Sequence, residues 1–263
     1  FYGSITDNGK KIRGLIVTYQ VNDGKNYATQ VVPSVNSATL LDPTKLDPTK
    51  QGYALDGWYK ADGTKLDVTA PVTESLTLTG WLYVPVKDAS GLTTALADNT
   101  IDVIRLTDDI TLPAGSAEIT VTPGRKVVLD LNGHVLNLGG KHISVKGNIN
   151  FNKYARLTIM DSAPTKEHKF TDTDGLWVLD TNGDKTVKGG VITGGSNTSG
   201  GAMVVDWWGT VTINGGNIVG CSASDSGGAV YSTGNFSFTM AGGSIVGCKA
   251  ANGGGVYVEA SKT

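Results

Sequence analysis

Three groups of residues have types and spacings that suit chemistry or binding. Asp206-Trp207-Trp208 sets a carboxylate beside two indoles, and an exposed indole offers a flat apolar face to a sugar ring or to another protein. Asp180-Thr181-Asn182-Gly183-Asp184 places three oxygen-bearing side chains at alternate positions, as a calcium loop does. It has neither the glycine at position six nor the glutamate at position twelve of an EF-hand loop, and Asn-Gly also reads as an ordinary turn. Asp108-Asp109 is the one adjacent acidic pair. General acid and base work needs two carboxylates converging on one bond, whereas this pair directly follows an apolar strand and reads as a solvated turn. His134, His142 and His168 have no partner at metal-ligand spacing, and surface or strand positions suffice for them.

The elements that must position these groups belong to a repeat. An apolar, polar, apolar word returns as Ile104-Arg105-Leu106, Leu129-Asp130-Leu131, Leu157-Thr158-Ile159, Lys185-Thr186-Val187, Val211-Thr212-Ile213 and Phe238-Thr239-Met240, at intervals of 25, 28, 28, 26 and 27 residues. A unit this short cannot close a core alone, so it must stack on its neighbours. Glycine pairs mark a second word ahead of Ile192, Ile218 and Ile245, and a third at Gly200-Gly201, Gly227-Gly228 and Gly253-Gly254, into which Asp174-Gly175-Leu176-Trp177-Val178 also fits. Each period of 25–28 residues therefore holds three short strands separated by turns. Strands of three to five residues make sides of about 10–17 Å, so three of them describe a triangular coil, and seven coils about 4.8 Å apart would rise roughly 30 Å. The fold predicted for residues 86–263 is a right-handed parallel β-helix, the hand following the rule for parallel crossovers.

Alternation assigns the faces. The outer letters of each word point inward and the middle letter outward, giving one interior ladder of Ile104, Leu129, Leu157, Val211 and Phe238 and another of Leu106, Leu131, Ile159, Val187, Ile213 and Met240. Lys185 breaks the first ladder unless its strand starts one residue late. Cys221 and Cys248 stand at equal offsets from their glycine pairs and read as stacked, buried and reduced thiols, with adjacent rungs also within disulfide reach. Asp88 or Ser90 can cap a short helix over residues 88–97, suited to cover the blunt end of the stack.

Composition agrees with an all-β chain. Its 263 residues include 36 glycines, concentrated after residue 189, without a strict Gly-x-y period. A net charge of -2 gives no electrostatic footprint for nucleic acid, and no stretch approaches the roughly 20 apolar residues of a membrane span. The chain opens on Phe1-Tyr2-Gly3 and stops part-way through a repeat at Val256-Tyr257-Val258-Glu259, so it is expected to be an excised piece of a longer protein.

Residues 1–85 lack the repeat and read as a separate small domain. Leu15-Ile16-Val17-Thr18-Tyr19, the turn Asn22-Asp23-Gly24 and the strand to Val32 form a hairpin. The doubled Leu-Asp-Pro-Thr-Lys at 41–50 is a loop or edge, because proline cannot donate to a ladder. Trp58, Tyr59 and Trp81 are assigned to the core, since so small a domain cannot spare large apolar side chains. Pro48-Thr49-Lys50, Gly52-Tyr53, Gly57-Trp58-Tyr59, Asp67, Pro71-Val72-Thr73 and Leu76-Thr77-Leu78 with Trp81 resemble the internalin B-repeat (Listeria/Bacteroides repeat) family over residues 14–83. Leu55 stands where that family usually has an aromatic. The resemblance implies a small β-grasp-like domain and a place on a bacterial cell surface. Residues 100–263, with their glycine-rich coils, look like the parallel β-helices of bacterial surface adhesins.

The Asn-Thr-Asp, Asp-Asp and Gly-His-Gly set of pectin-degrading hydrolases is missing, and no acidic residue recurs at a matching offset in successive coils. The expected function is thus non-enzymatic: an extracellular adhesin or stalk segment that presents Asp206, Trp207 and Trp208 to a host surface protein or polysaccharide. The alternative is a polysaccharide lyase or hydrolase of β-helix type with catalytic residues partly outside these 263 residues. Calcium is the one cofactor considered, at Asp180, Asn182 and Asp184.

Overall fold

A computed structural model describes residues 3–7, 10–21, 26–32, 52–67, 72–233 and 237–259. Their elements are strands, with one α-helix and one 3-10 turn, so the chain is all-β as its patterning predicts. It divides into two compact units, Phe1–Val84 and Pro85–Thr263.

In the first unit the strand Lys10–Val21 is the hub. It pairs antiparallel with Gly3–Asp7 and with Asn26–Val32, and parallel with Leu76–Val86, whose other edge takes Ala54–Tyr59 antiparallel. Leu15, Val17, Tyr19, Val32, Trp58, Val72 and Leu78 make its core. The Tyr19 and Trp58 rings meet edge to face at 4.8 Å, and a Cβ on Gly80 would lie 2.8 Å from the Trp58 ring. Trp58 is therefore core, as assigned; Tyr59 and Trp81 are half-buried and lie 6.4 Å apart. The Asn22-Asp23-Gly24 turn and the doubled Leu-Asp-Pro-Thr-Lys lie outside the described residues.

In the second unit the chain visits three parallel sheets in a fixed order. The first sheet contains Val103–Leu106, Lys126–Asp130, Ala155–Met160, Gly209–Ile213 and Ser237–Met240. The second contains Ile110–Thr111, Val135–Asn137, Val191–Thr193, Asn217–Val219 and Ser244–Val246. The third contains Ile119–Val121, Ile143–Lys146, Met203–Asp206, Val230–Thr233 and Val256–Glu259. Ile104, Leu129, Ile159 and Ile213 on the first sheet, Leu136, Ile192 and Ile218 on the second, and Ile143, Met203 and Val230 on the third are all buried. The helix Ala89–Ala97 buries Leu92 and Ala95 beside the first pass; Asp88 is its cap, accepting the Gly91 N–H at 2.8 Å.

The described residues make five passes, fewer than the seven expected, and at one rung spacing the stack rises about 19 Å. One of the two missing passes is residues 161–189, a stretch of about one repeat length that adds no rung. Lys185-Thr186-Val187 is no rung of the first sheet: its strand, Lys185–Lys188, pairs antiparallel with Glu167–Thr173, which also takes Leu176–Leu179. The Asp174-Gly175 word is likewise a hairpin turn, with φ of 53° and 84°, and no strand of the third sheet. Ala155–Met160 pairs directly with Gly209–Ile213 across this insertion. The ladder is also shifted between the second and third passes: Ile159, two residues past Leu157, lies opposite Leu129. A slip of two preserves the face, so the inward assignment of both residues holds.

The inserted flap folds over the outer side of the second sheet. Phe170 and Val187 pack there with Val135, Val191 and Val219, and Trp177 and Val246 complete this second small core. That covering explains why Val191–Thr193 and Asn217–Val219 are buried at every position, as strands with both faces covered must be. The fit is close at Gly247, where φ is 58° and a Cβ would sit 2.2 Å from the Trp177 ring. Gly247→Ala is expected to cost about 1–3 kcal/mol through left-handed strain and overpacking, and to speed proteolysis within residues 161–189 first. Unchanged cleavage there would show that the flap does not depend on this contact.

Polar side chains tie the flap and the passes together. Arg105 Nε donates to Asp130 Oδ2 at 2.7 Å, and these residues are only 7% and 1% exposed. Alternation points Asp130 outward, and on that side its second oxygen accepts the N–H groups of Asn132 and Ser162, so the chain entering the flap covers it. Asp161 accepts from Gly133 and Gly190, both at 2.7 Å, joining the second pass to the third.

Candidate binding surface

At the corner where the third sheet hands over to the first, each pass must change direction within a few residues. Trp207 and Trp208 form this turn between Met203–Asp206 and Gly209–Ile213, and Trp208 takes a left-handed φ of 60°. Their carbonyls accept the Gly147 and Ala155 N–H groups of the preceding pass at 2.8 and 3.1 Å. Gly147 leaves room for that approach, since a Cβ there would stand 2.5 Å from the Trp208 carbonyl oxygen. Asp206 accepts the Trp207 N–H at 2.8 Å and pairs with Lys146 at 2.9 Å. It shapes the turn and anchors it to the rung below.

The backbone being fixed, the side chains diverge. Trp208 is half-buried and packs on Tyr154 of the previous pass with ring centroids 4.5 Å apart, while the Arg156 guanidinium lies over the other partner, Tyr154, at 5.1 Å. Trp207 is 48% exposed, Tyr154 41% and Phe151, in the 3-10 turn Ile149–Phe151, 71%. Sequence reading found the two tryptophans and missed Phe151 and Tyr154. The available signal was that Phe151-Asn152-Lys153-Tyr154 occupies the same corner one pass earlier.

The other candidates resolve differently. Asp180 accepts the Asn182 N–H at 2.9 Å and the Thr171 hydroxyl at 2.7 Å, and Asp184 pairs with Lys185 at 2.8 Å. The loop is thus a turn stabilised by its own carboxylates, and among the described residues no three His, Cys, Asp or Glu side chains are grouped to hold a metal. Asp109, in its turn, accepts from Val135 N and contacts His134 Nδ1, both at 3.0 Å, with Lys166 Nζ at 3.2 Å. Burial acts to raise its carboxyl, but these donors outweigh it and hold the group below the usual carboxylate range. His168 is buried, its Nε2 2.9 Å from the Gly133 carbonyl. Cys221 and Cys248 are free thiols on adjacent rungs, with the Cys221 N–H 3.4 Å from the Cys248 sulfur. Their shared hydrogen bond pushes the buried Cys221 thiol up and brings Cys248 down.

Two family models match the chain. The Listeria-Bacteroides repeat domain matches residues 16–80, where the internalin-like resemblance lies, and the pectate lyase-like adhesive domain matches residues 83–241, more than half of the sequence. The chain belongs to the pectate lyase-like adhesive domain family. Neither a curated protein nor a solved structure matches it. The adhesive-domain match spans the first four passes, the flap and the whole corner from Phe151 to Trp208. Among the described residues no helix is long and apolar enough to cross a membrane.

Proposed function

We propose that this chain is a non-enzymatic, extracellular segment of a bacterial surface protein. In this reading a β-grasp-like domain over residues 1–85 precedes a right-handed parallel β-helix over residues 86–263, and the corner bearing Asp206, Trp207 and Trp208 is its binding surface. The ligand class is polysaccharide. One observation carries the reading: Trp207 remains 48% exposed on a turn whose backbone is fixed on both sides by the preceding pass. A large apolar face held rigidly in water loses little conformational entropy when a ligand covers it, and the equatorial C–H face of a sugar ring suits an indole. The adhesive-domain family and the Listeria-Bacteroides repeat support the surface location.

The test is retention of the purified chain on immobilised host and bacterial polysaccharides. Trp207→Ala is expected to weaken binding about tenfold or more, as loss of an aromatic anchor does, while moving stability by no more than about 0.5 kcal/mol, as an exposed change does. Product release from any of these polysaccharides would favour a lyase or hydrolase instead. Binding indifferent to Trp207→Ala would remove the corner from the reading.

A further inference from the structure

One rung from Tyr154, the same corner opens a hollow of about 310 Å³ lined by Asn99, Asp102, Thr122, Arg125, Lys126 and Lys153 among others. Its lining thus counts three basic residues to one acidic, in a chain whose net charge is -2. Lys146, Lys166, Lys185 and Lys188 each hold a carboxylate, but among the described residues Lys126 and Lys153 make no ion pair. Arg125 is only 5% exposed. Its Nη2 reaches the helix-terminal carbonyls of Leu96 and Ala95 at 3.3 and 3.5 Å, and its Nε is buried without an acceptor, a rare condition for a guanidinium donor. The hollow is joined to the aromatic corner by backbone: Gly124 on its rim donates to the Tyr154 carbonyl at 2.9 Å, and Lys153 immediately precedes Tyr154.

We infer that the hollow is an anion subsite of the binding corner, and that the ligand is a glycan bearing carboxylate or sulfate groups. An acidic group would lie between Lys126, Lys153 and Arg125 while a neighbouring ring of the same chain rests against Tyr154 and Trp207. A nucleic acid is a poorer occupant, because it needs several phosphate contacts and a basic field that a chain of net charge -2 lacks. The inference rests on the saccharide reading above and adds the charge of the ligand to it.

The intact chain is assayed by biolayer interferometry against immobilised dextran, dextran sulfate and hyaluronate. These are neutral, sulfate-bearing and carboxylate-bearing. Binding to one or both polyanions but not to dextran is expected, and the bound polyanion identifies which acidic group the hollow takes. Lys126→Ala with Lys153→Ala should weaken that binding about tenfold or more, and raising salt should weaken the native chain in the same direction. Lys188→Ala, on the flap, is the control and should change little. No binding to either polyanion at low salt, or an equal loss in the control, would overturn the subsite. Binding to dextran that needs Trp207 but not the two lysines would also overturn it, while leaving the saccharide reading standing.

Discussion

Arg105→Ala is expected to cost about 3–5 kcal/mol, a large share of the stability of a domain this size. The reason is what the substitution leaves behind. Asp130 is 1% exposed, and the Arg105 Nε at 2.7 Å is the charge that offsets its carboxylate. The Asn132 and Ser162 N–H groups at 3.0 and 2.9 Å remain, but neutral donors do not replace a cation beside a buried anion. Arg105→Leu combined with Asp130→Asn removes both charges and should recover most of the loss. Urea melts of the two single variants and the double variant decide the matter. A loss below about 1 kcal/mol for Arg105→Ala would mean that water reaches the pair in solution.

Ile213→Asp should be comparably severe, costing several kcal/mol or forcing the carboxyl to protonate. Ile213 is 1% exposed and lies between Ile159 and Met240 on successive rungs. The Val187 neighbour read from the repeat belongs to the flap. Thr212→Asp, one residue away, stands in the outward row of Thr158 and Thr239, and should move stability by about 0.5 kcal/mol. A thermal melt of each variant gives the comparison. Equal shifts would contradict the inward register of the first sheet.

How much of this was legible depends on the range over which each feature is encoded. Alternation within a rung is local, so Leu129, Ile159 and Ile213 were placed inward and Thr212 outward from the sequence alone. The helix cap, read as Asp88 or Ser90, is local too, while the stacked cysteines were legible from their equal offsets in successive repeats. Number of passes was not. From Ile159 to Ile213 is 54 residues, twice the 27 from Ile213 to Met240, so an insertion of one repeat length passes for a repeat. Lys185, at an interior position by count, was the signal that this stretch belongs elsewhere. Alternation put Asp130 on the outer side of its strand, where it lies, but says nothing about what covers that side; here residues 161–163 do, so its burial was not legible. At the corner, an adjacent tryptophan pair in a turn stands out by composition, while its contact with Tyr154 is set by the spacing between rungs.

The parallel ladders also have a mechanical side. In all three sheets the backbone hydrogen bonds run from one pass to the next, along the direction of stacking. A load applied along that direction pulls on the bonds lengthwise and meets them one rung at a time. Releasing the 27 residues from Ile213 to Met240 lets out roughly 90 Å of extended chain, so a pass held by its ladder alone can yield under tension while its neighbours keep their shape. The flap changes this locally. Trp177 donates its N–H to the Gly247 carbonyl, and Phe170 packs with Val135, Val191 and Val219, so one covalently continuous element clasps rungs from the second pass to the fifth. It acts as a clamp beside the stack, and peeling through those rungs requires breaking it first.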